Sequence, residues 1–284
     1  MNEVVQNLLK HLTLECLEEN LYRGESQDIG SPHVYGGQVL AQALFAASQT
    51  VEDRDVHSLH AYFLRPGDKK KPVVYEVDRI RDGKGYTTRR VVAIQRGKPI
   101  FNMSASFKIK EEGLEHQFEM PEVPGPEGLQ NLTELGRQDL AEFPDKLSRF
   151  LDWQRPIEFR PVRPTHLLNP EPALPIRDIW IRVEGTLPDD PALHKVLLAY
   201  ASDYSLLSTA LLPHGLVFSQ NTLRAASLDH AMWFHRDFRM DDWLLYSMDS
   251  PSTSHGRGFS RGNLFTREGK LVASVAQEGM IRKL

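Results

Sequence analysis

Sulfur nucleophiles are almost missing from this chain: Cys16 is the single cysteine in 284 residues. That excludes an intramolecular disulfide and fits a reducing compartment. No neighbouring group would stabilise a thiolate at Cys16, so it reads as inert. Excess charge is missing too, since a net charge of −4 argues against a dedicated nucleic-acid binder. No set of Cys, His and Asp has zinc-like spacing. Long apolar runs are absent as well. Residues 1–14 interrupt their leucines with Glu3, Gln6, Lys10 and His11, unlike a signal peptide, and no segment reads as long enough to span a bilayer. The closing Arg282-Lys283-Leu284 shares two residues with the Ser-Lys-Leu peroxisomal address, but Arg282 is large where that signal takes a small residue. The expectation is a cytoplasmic protein with no membrane insertion.

What the chain does have is a duplication. Ser58-Leu59-His60 leads through Tyr62-Phe63 and Arg65 to Val73-Val74-Tyr75, then to Gly97-Lys98-Pro99-Ile100 and a strand-like ending at Phe107. Ser227-Leu228-Asp229-His230 leads through Trp233-Phe234 and Arg236 to Leu244-Leu245-Tyr246, then to Gly269-Lys270-Leu271-Val272 and an ending at Gly279. Self-similarity on this scale means one structural unit present twice. With 40% hydrophobic and 25% charged residues, each copy can bury a core. The units are read as residues 1–110 and 178–284. Residues 111–177 form an inter-unit linker, with Pro121, Pro124 and Pro126 in its first part and an amphipathic helix over 132–153.

Each copy opens with a helix. From Gly37, Val39, Leu40, Ala43, Leu44 and Ala47 recur at three- and four-residue spacing, after the close-approach signal Gly36-Gly37. The second helix is expected from about residue 194 to 212, apolar nearly all round and therefore buried. Strand patterns follow at 73–79, 86–95 and 100–109 in the first copy. In the second they follow at 244–248, 258–266 and 271–281, with 226–234 as another strand. Residues 21–23 and 179–183 precede the helices as strand candidates. A strand, a buried helix and an antiparallel meander make an α+β unit with a sheet wrapped around one helix.

Differences between the copies point to chemistry. Asp203 lies in the middle of the expected second helix among Ala199, Tyr200, Leu206 and Leu207, where a carboxylate is costly unless paired or used. No Asp or Glu occurs from residue 34 to 51, so the first copy has no equivalent. Strand alternation puts Gln277 on the face of Leu271, Ala273 and Val275, where the first copy has alanine. Its amide offers both donor and acceptor, to a backbone group or to a water. Ser227 opens its strand, and Ser58 is taken to hold the same place in the first copy. Gly258-Phe259-Ser260-Arg261-Gly262 matches a nucleophile elbow, but no helix follows it, so the match reads as accidental. His57, His60, His230 and His235 read as structural, with His57 and His60 as possible pocket residues. Lys69 to Lys71, Arg79, Arg81, Lys84, Arg89 and Arg90 read as solvated charges. Some of these, or the backbone amides at Gly36-Gly37, could instead meet substrate phosphates.

Together these residues resemble a family. Val34-Tyr35-Gly36-Gly37-Gln38, the run from His57 to Gly67, the run from Leu228 to Arg236 and Gln277-Glu278-Gly279 are similar, in order and over nearly the whole chain, to type II acyl-CoA thioesterases. The resemblance implies a double hotdog: two fused units, each an antiparallel sheet curled around a central helix. It implies hydrolysis of acyl-CoA to fatty acid and CoA without metal or organic cofactor, by a protein that forms homo-oligomers. It also implies a catalytic set of Asp203, Ser227 and Gln277, with serine where threonine is common, so the hydroxyl is kept and its rotamer is looser. In this scheme the carboxylate takes a proton from water while the amide and hydroxyl position it, with no covalent intermediate. Two other readings stay open. One is an acyl-thioester hydratase or dehydratase on the same fold, and the other an acyl-CoA-binding protein without catalysis.

Overall fold

The computed structural model describes residues 2–139, 155–166, 170–218 and 223–284. The first half contains helix α1 (Glu3–Leu12), strands β1 (Glu15–Glu18) and β2 (Leu21–Gly24), and helix α2 (Gly36–Ser48). Strands β3 (Asp55–Phe63), β4 (Val73–Asp82), β5 (Tyr86–Gln95) and β6 (Lys98–Lys108) complete it. Helix α3 (Leu132–Asp139), β7 (Ile157–Pro161) and β8 (Ile176–Val183) come next, followed by helix α4 (Pro191–Ser202) and a 3₁₀ helix, Leu207–His214. The chain closes with β9 (Leu223–Ser227), β10 (Asp229–Phe234), β11 (Leu244–Ser254), β12 (Arg257–Thr266) and β13 (Leu271–Lys283). The thirteen strands among the described residues join one antiparallel sheet, in the order β1-β2-β4-β5-β6-β3-β10-β13-β12-β11-β8-β7 with β9 added on β13.

The halves are sewn together at β3 and β10, where Leu59 faces Met232 and Ala61 faces His230. His60 faces Ala231 at the centre of this pair. The local two-fold axis there carries Leu59 onto His230 and Ala61 onto Met232. Helix α2 is buried on nearly every side, from Gly37 to Ala47 with few gaps, and packs against β2 to β6. Helix α4 is buried from His194 to Ser202. Asp190 caps its start, accepting from Ala192 N at 3.0 Å, and Pro191 occupies the first turn, where no N–H partner is needed. Helices this apolar need sheet on several sides, which the curled halves supply.

The single helix expected from 194 to 212 is two elements. The α-helical part ends at Ser202, whose carbonyl accepts the Tyr246 hydroxyl at 2.8 Å. Ser205 then takes φ +65°, which an α-helix cannot continue through. The 3₁₀ helix Leu207–His214 follows and is closed by Gly215 at φ +58°. By length and composition Pro191–His214 could cross a membrane, against the expectation that no segment could. Most of it is buried inside the fold.

The linker also differs in detail. Its residues 132–139 are helical, and the remainder of the helix expected to 153 lies outside the described residues. Residues 157–161 form β7, paired with β8 at the sheet edge. Met120, Val123 and Leu129 cover an outer-face cluster of Trp180, Leu245, Phe265 and Leu271. Pro124 accepts the Trp180 indole N–H at 2.8 Å, which fixes the covering segment in place.

Candidate active site

Asp203 sits at the cap of α4, not in its middle. The interruption after Ser202 turns its side chain toward the start of α2. There the backbone N–H of Gly37 donates to Asp203 Oδ2 at 2.9 Å. The positive end of α2 and its unpaired first N–H groups favour a carboxylate at this point. Tyr35, just before the helix, donates its hydroxyl to Tyr200 O at 2.9 Å and ties the two helix ends together. Both glycines are required by distance. A Cβ on Gly37 would lie 2.4 Å from Tyr200 O, and one on Gly36 would lie 2.7 Å from Asp203 Oδ2. The Gly37 amide is thus committed to Asp203 rather than to a substrate phosphate.

The other carboxylate oxygen gathers the remaining expected residues. Gln277 Nε2 donates to Asp203 Oδ1 at 2.7 Å and lies 3.2 Å from Ser227 Oγ. The Ser227 hydroxyl donates to the same Oδ1 at 3.4 Å. Asp203, Ser227 and Gln277 therefore form one cluster, with Gln277 fully buried and the other two half-buried. The first half has a buried amide of a different kind. Gln42 receives the Tyr75 hydroxyl and donates to the carbonyls of His11 and Glu25, so protein groups fill its valences. Gln277 Oε1 has no partner among the described residues.

Pairing corrects the comparison of the copies. Ser227 ends β9 rather than opening a strand over 226–234, because the chain breaks between β9 and β10 at Leu228. In the first half β3 bulges between Val56 and Ser58. The two irregularities occupy the same place, so Ser227 facing Gly279 matches Val56 facing Phe107. The counterpart of Ser227 is Val56, not Ser58. On the same strands Leu59 faces Ala105, and their counterparts are His230 and Gln277. Every polar strand residue of the cluster thus replaces an apolar one.

His230, expected to be structural, belongs to the cluster. It is fully buried, with Nδ1 3.1 Å from Gln277 Nε2 and Nε2 2.9 Å from Ser202 Oγ. Counting backward from the shared Trp/Tyr-Phe pair, instead of forward from the shared Ser-Leu, would have set His230 against Leu59. Burial pushes its pKa down to about 4, and the Asp203 charge only partly opposes this. Burial also lowers His57, His194 and His235. In the unfolded chain these side chains take up protons near 6.5, whereas His230 in the fold does so only near 4. The unfolded state therefore binds more protons in that window, so stability present above it is lost as pH falls through it. Denaturant midpoints should be lower at pH 5 than at pH 7. Equal midpoints would contradict this.

The remaining candidates lie elsewhere. His57 bonds Ser106 Oγ at 2.8 Å, and exposed His60 stacks edge-on with Trp233, so neither enters the cluster. Ser260 is fully buried inside β12 opposite Gln277, with no elbow. Its flanking glycines are small for packing: a Cβ on Gly258 would meet Ala210 and one on Gly262 would meet Tyr246. Arg89 is no solvated charge. It is buried, bonded to Thr50 and paired with Asp82 at 2.6 Å. Lys69 and Arg90 pair with Asp28 and Asp78. Lys70 lines a surface cavity of about 300 Å³ with His33, Pro66 and Lys69.

Two antiparallel halves fused at one strand pair, with a helix in each and a carboxylate between the helix ends, define a double-hotdog protein. Residues 152–280 match the acyl-CoA thioesterase family, and residues 23–108 match the acyl-CoA thioesterase N-terminal domain. The chain is 40% identical to acyl-CoA thioesterase 2 of Haemophilus influenzae, over 99% of both chains. The solved acyl-CoA thioesterase II TesB2 of Mycobacterium marinum superposes with a TM-score of 0.80 at 42% identity, over 98% of each chain. A hot dog fold protein of Alicyclobacillus acidocaldarius shares the fold at 18% identity and a TM-score of 0.78, over 97% of this chain and 98% of its own. The chain belongs to the acyl-CoA thioesterase family, and so to the thioester hydrolases.

Proposed function

We propose that this protein hydrolyses fatty acyl-CoA to free fatty acid and CoA by direct attack of water, with Asp203 as the base. The observation that carries the reading is the Asp203 carboxylate. The Gly37 amide holds it on one oxygen, and Gln277 and Ser227 meet on the other. Such an anchored carboxylate orients a water and takes its proton while the oxygen bonds to the thioester carbonyl carbon. The C–S bond then breaks, and the proton passes from Asp203 to the departing CoA sulfur. Ser227 and Gln277 hold the water's other contacts. Water rather than a side chain is taken as the nucleophile: Cys16 is exposed on β1, and the cluster histidine contacts Ser202 and Gln277 rather than Ser227. In this scheme residues 178–284 carry the catalyst. Residues 1–110 complete the site through Gly36 and Gly37, with 111–177 as the connection. The protein is proposed to be cytoplasmic, where an exposed thiol such as Cys16 stays reduced, and to self-associate as its family resemblance implies.

A panel of acyl-CoAs of increasing chain length tests this, with free thiol and free acid both quantified. Stoichiometric thiol and acid are expected. Enoyl or hydroxyacyl product with the thioester intact would favour a hydratase instead. Ser260→Ala should retain near wild-type turnover and unfold no more easily, because the change removes a buried hydroxyl that has no partner among the described residues. A large loss of thiol release in that variant would return Ser260 to the chemistry.

A further inference from the structure

Gln277 can serve Asp203 only with its NH₂ edge turned toward the carboxylate, since the opposite edge would set a carbonyl oxygen against it. An amide has nearly the same shape after a half-turn, so something must choose the orientation. The choice can be followed through the buried groups behind it. Asp203 turns its own N–H to Ala201 O, which leaves the carbonyl of Ala199 without its helical partner. The Ser202 hydroxyl donates to that carbonyl at 2.9 Å. With that hydrogen on Ala199 O or on Met232 Sδ at 3.3 Å, Ser202 Oγ presents a lone pair to His230 Nε2 at 2.9 Å. The imidazole must then carry its proton on Nε2 and be bare at Nδ1. Bare Nδ1, 3.1 Å from Gln277 Nε2, accepts only from an N–H. The NH₂ edge of Gln277 is therefore bracketed by two acceptors, His230 behind and Asp203 in front at 2.7 Å.

We propose that His230 is a positioning residue, a tautomer-locked imidazole that relays the orientation of the α4 terminus to Gln277 and holds its NH₂ edge on Asp203. This rests on the catalytic assignment of Asp203 and Gln277 above. His230 is not itself the base: it is fully buried, and both ring nitrogens are engaged. Burial keeps the ring neutral, its pKa pushed down to about 4, so the bare Nδ1 persists across the neutral range. The first half supports a dedicated role. Its counterpart pair, Leu59 opposite Ala105, is apolar and buried, so the fold has no general need for an imidazole here.

Two measurements on the full-length protein test the proposal. In ¹⁵N NMR of the labelled imidazole, Nδ1 should resonate as a bare nitrogen and Nε2 as protonated, unchanged from pH 8 to pH 6. A proton on Nδ1 in that range would overturn it. In kinetics, His230→Leu should lower kcat roughly tenfold to hundredfold with little change in KM, as expected for a misplaced catalytic group. His230→Asn, which keeps an acceptor near the Nδ1 position, should recover most of that loss. In a Gln277→Ala background, His230→Leu should lower kcat no further, because both changes remove one relay. Independent losses in the double variant, or equal kcat for wild type and His230→Leu, would also overturn it. If Asp203→Asn keeps full turnover, the catalytic assignment fails, while the NMR result still reports separately on the tautomer.

Discussion

Asp203→Asn should lose about a hundredfold to ten-thousandfold of acyl-CoA hydrolysis, the range carried by a positioned base, while still unfolding cooperatively. The amide has almost the shape of the carboxylate but cannot take the proton of an attacking water. It also has one acceptor atom where the fold supplies donors to two, Gly37 N–H at Oδ2 and the Gln277 and Ser227 groups at Oδ1. One edge of the new side chain must therefore face a donor with a donor. That mismatch costs about 1–3 kcal/mol, enough to lower the melting temperature by a few degrees without unfolding the chain. The decisive comparison is thiol release at saturating acyl-CoA beside a melting curve of the same sample. Turnover near wild type in a folded Asp203→Asn protein would remove Asp203 from the mechanism.

Gly37→Ala should damage both the fold and the site. The added carbon would sit 2.4 Å from the Tyr200 carbonyl and 2.6 Å from the Tyr35 ring, and the first of these is backbone in a buried helix. Either α2 and α4 separate or the Gly37 N–H leaves Asp203. A destabilisation of about 2–3 kcal/mol is expected from such overpacking, together with a fall in kcat. Gly36→Ala makes a useful contrast. Its methyl would meet the Asp203 carboxylate at 2.7 Å and the Phe63 ring at 3.0 Å, which are side-chain ends rather than backbone. It should therefore cost more in turnover than in stability. Calorimetry and steady-state kinetics on the two variants separate the effects, and a Gly37→Ala protein as stable and active as wild type would rule out the tight helix junction.

Much of this was legible in the residues. Period-two patterning marked β5 over residues 86–95, where the strand is found, and three- and four-residue spacing placed α2 to within a residue of its start. Asp203 stood out because no acid occupies the matching stretch of the first copy. The end of α4 was not legible, because the partner of its last carbonyl, Tyr246, lies far along the chain. For a similar reason, Ser58 is not the counterpart of Ser227. The Ser-Leu likeness is local, whereas the bulge that shifts it is defined only by the partner strands. The same slip hid His230.

By itself, then, the sequence determined the duplication, the α+β units and the buried helices, and it singled out Asp203 and Gln277, whereas Ser227 entered only through the family resemblance. These depend on side-chain period and turn chemistry, which neighbouring residues express together. Only the tertiary structure decided where α4 stops, which strand residues are equivalent, that Gly37 supplies an amide to Asp203 and that His230 stands behind Gln277. Those are contacts between residues distant in the chain. Register, backbone approach and hydrogen-bond partner are settled only when the two halves close on each other.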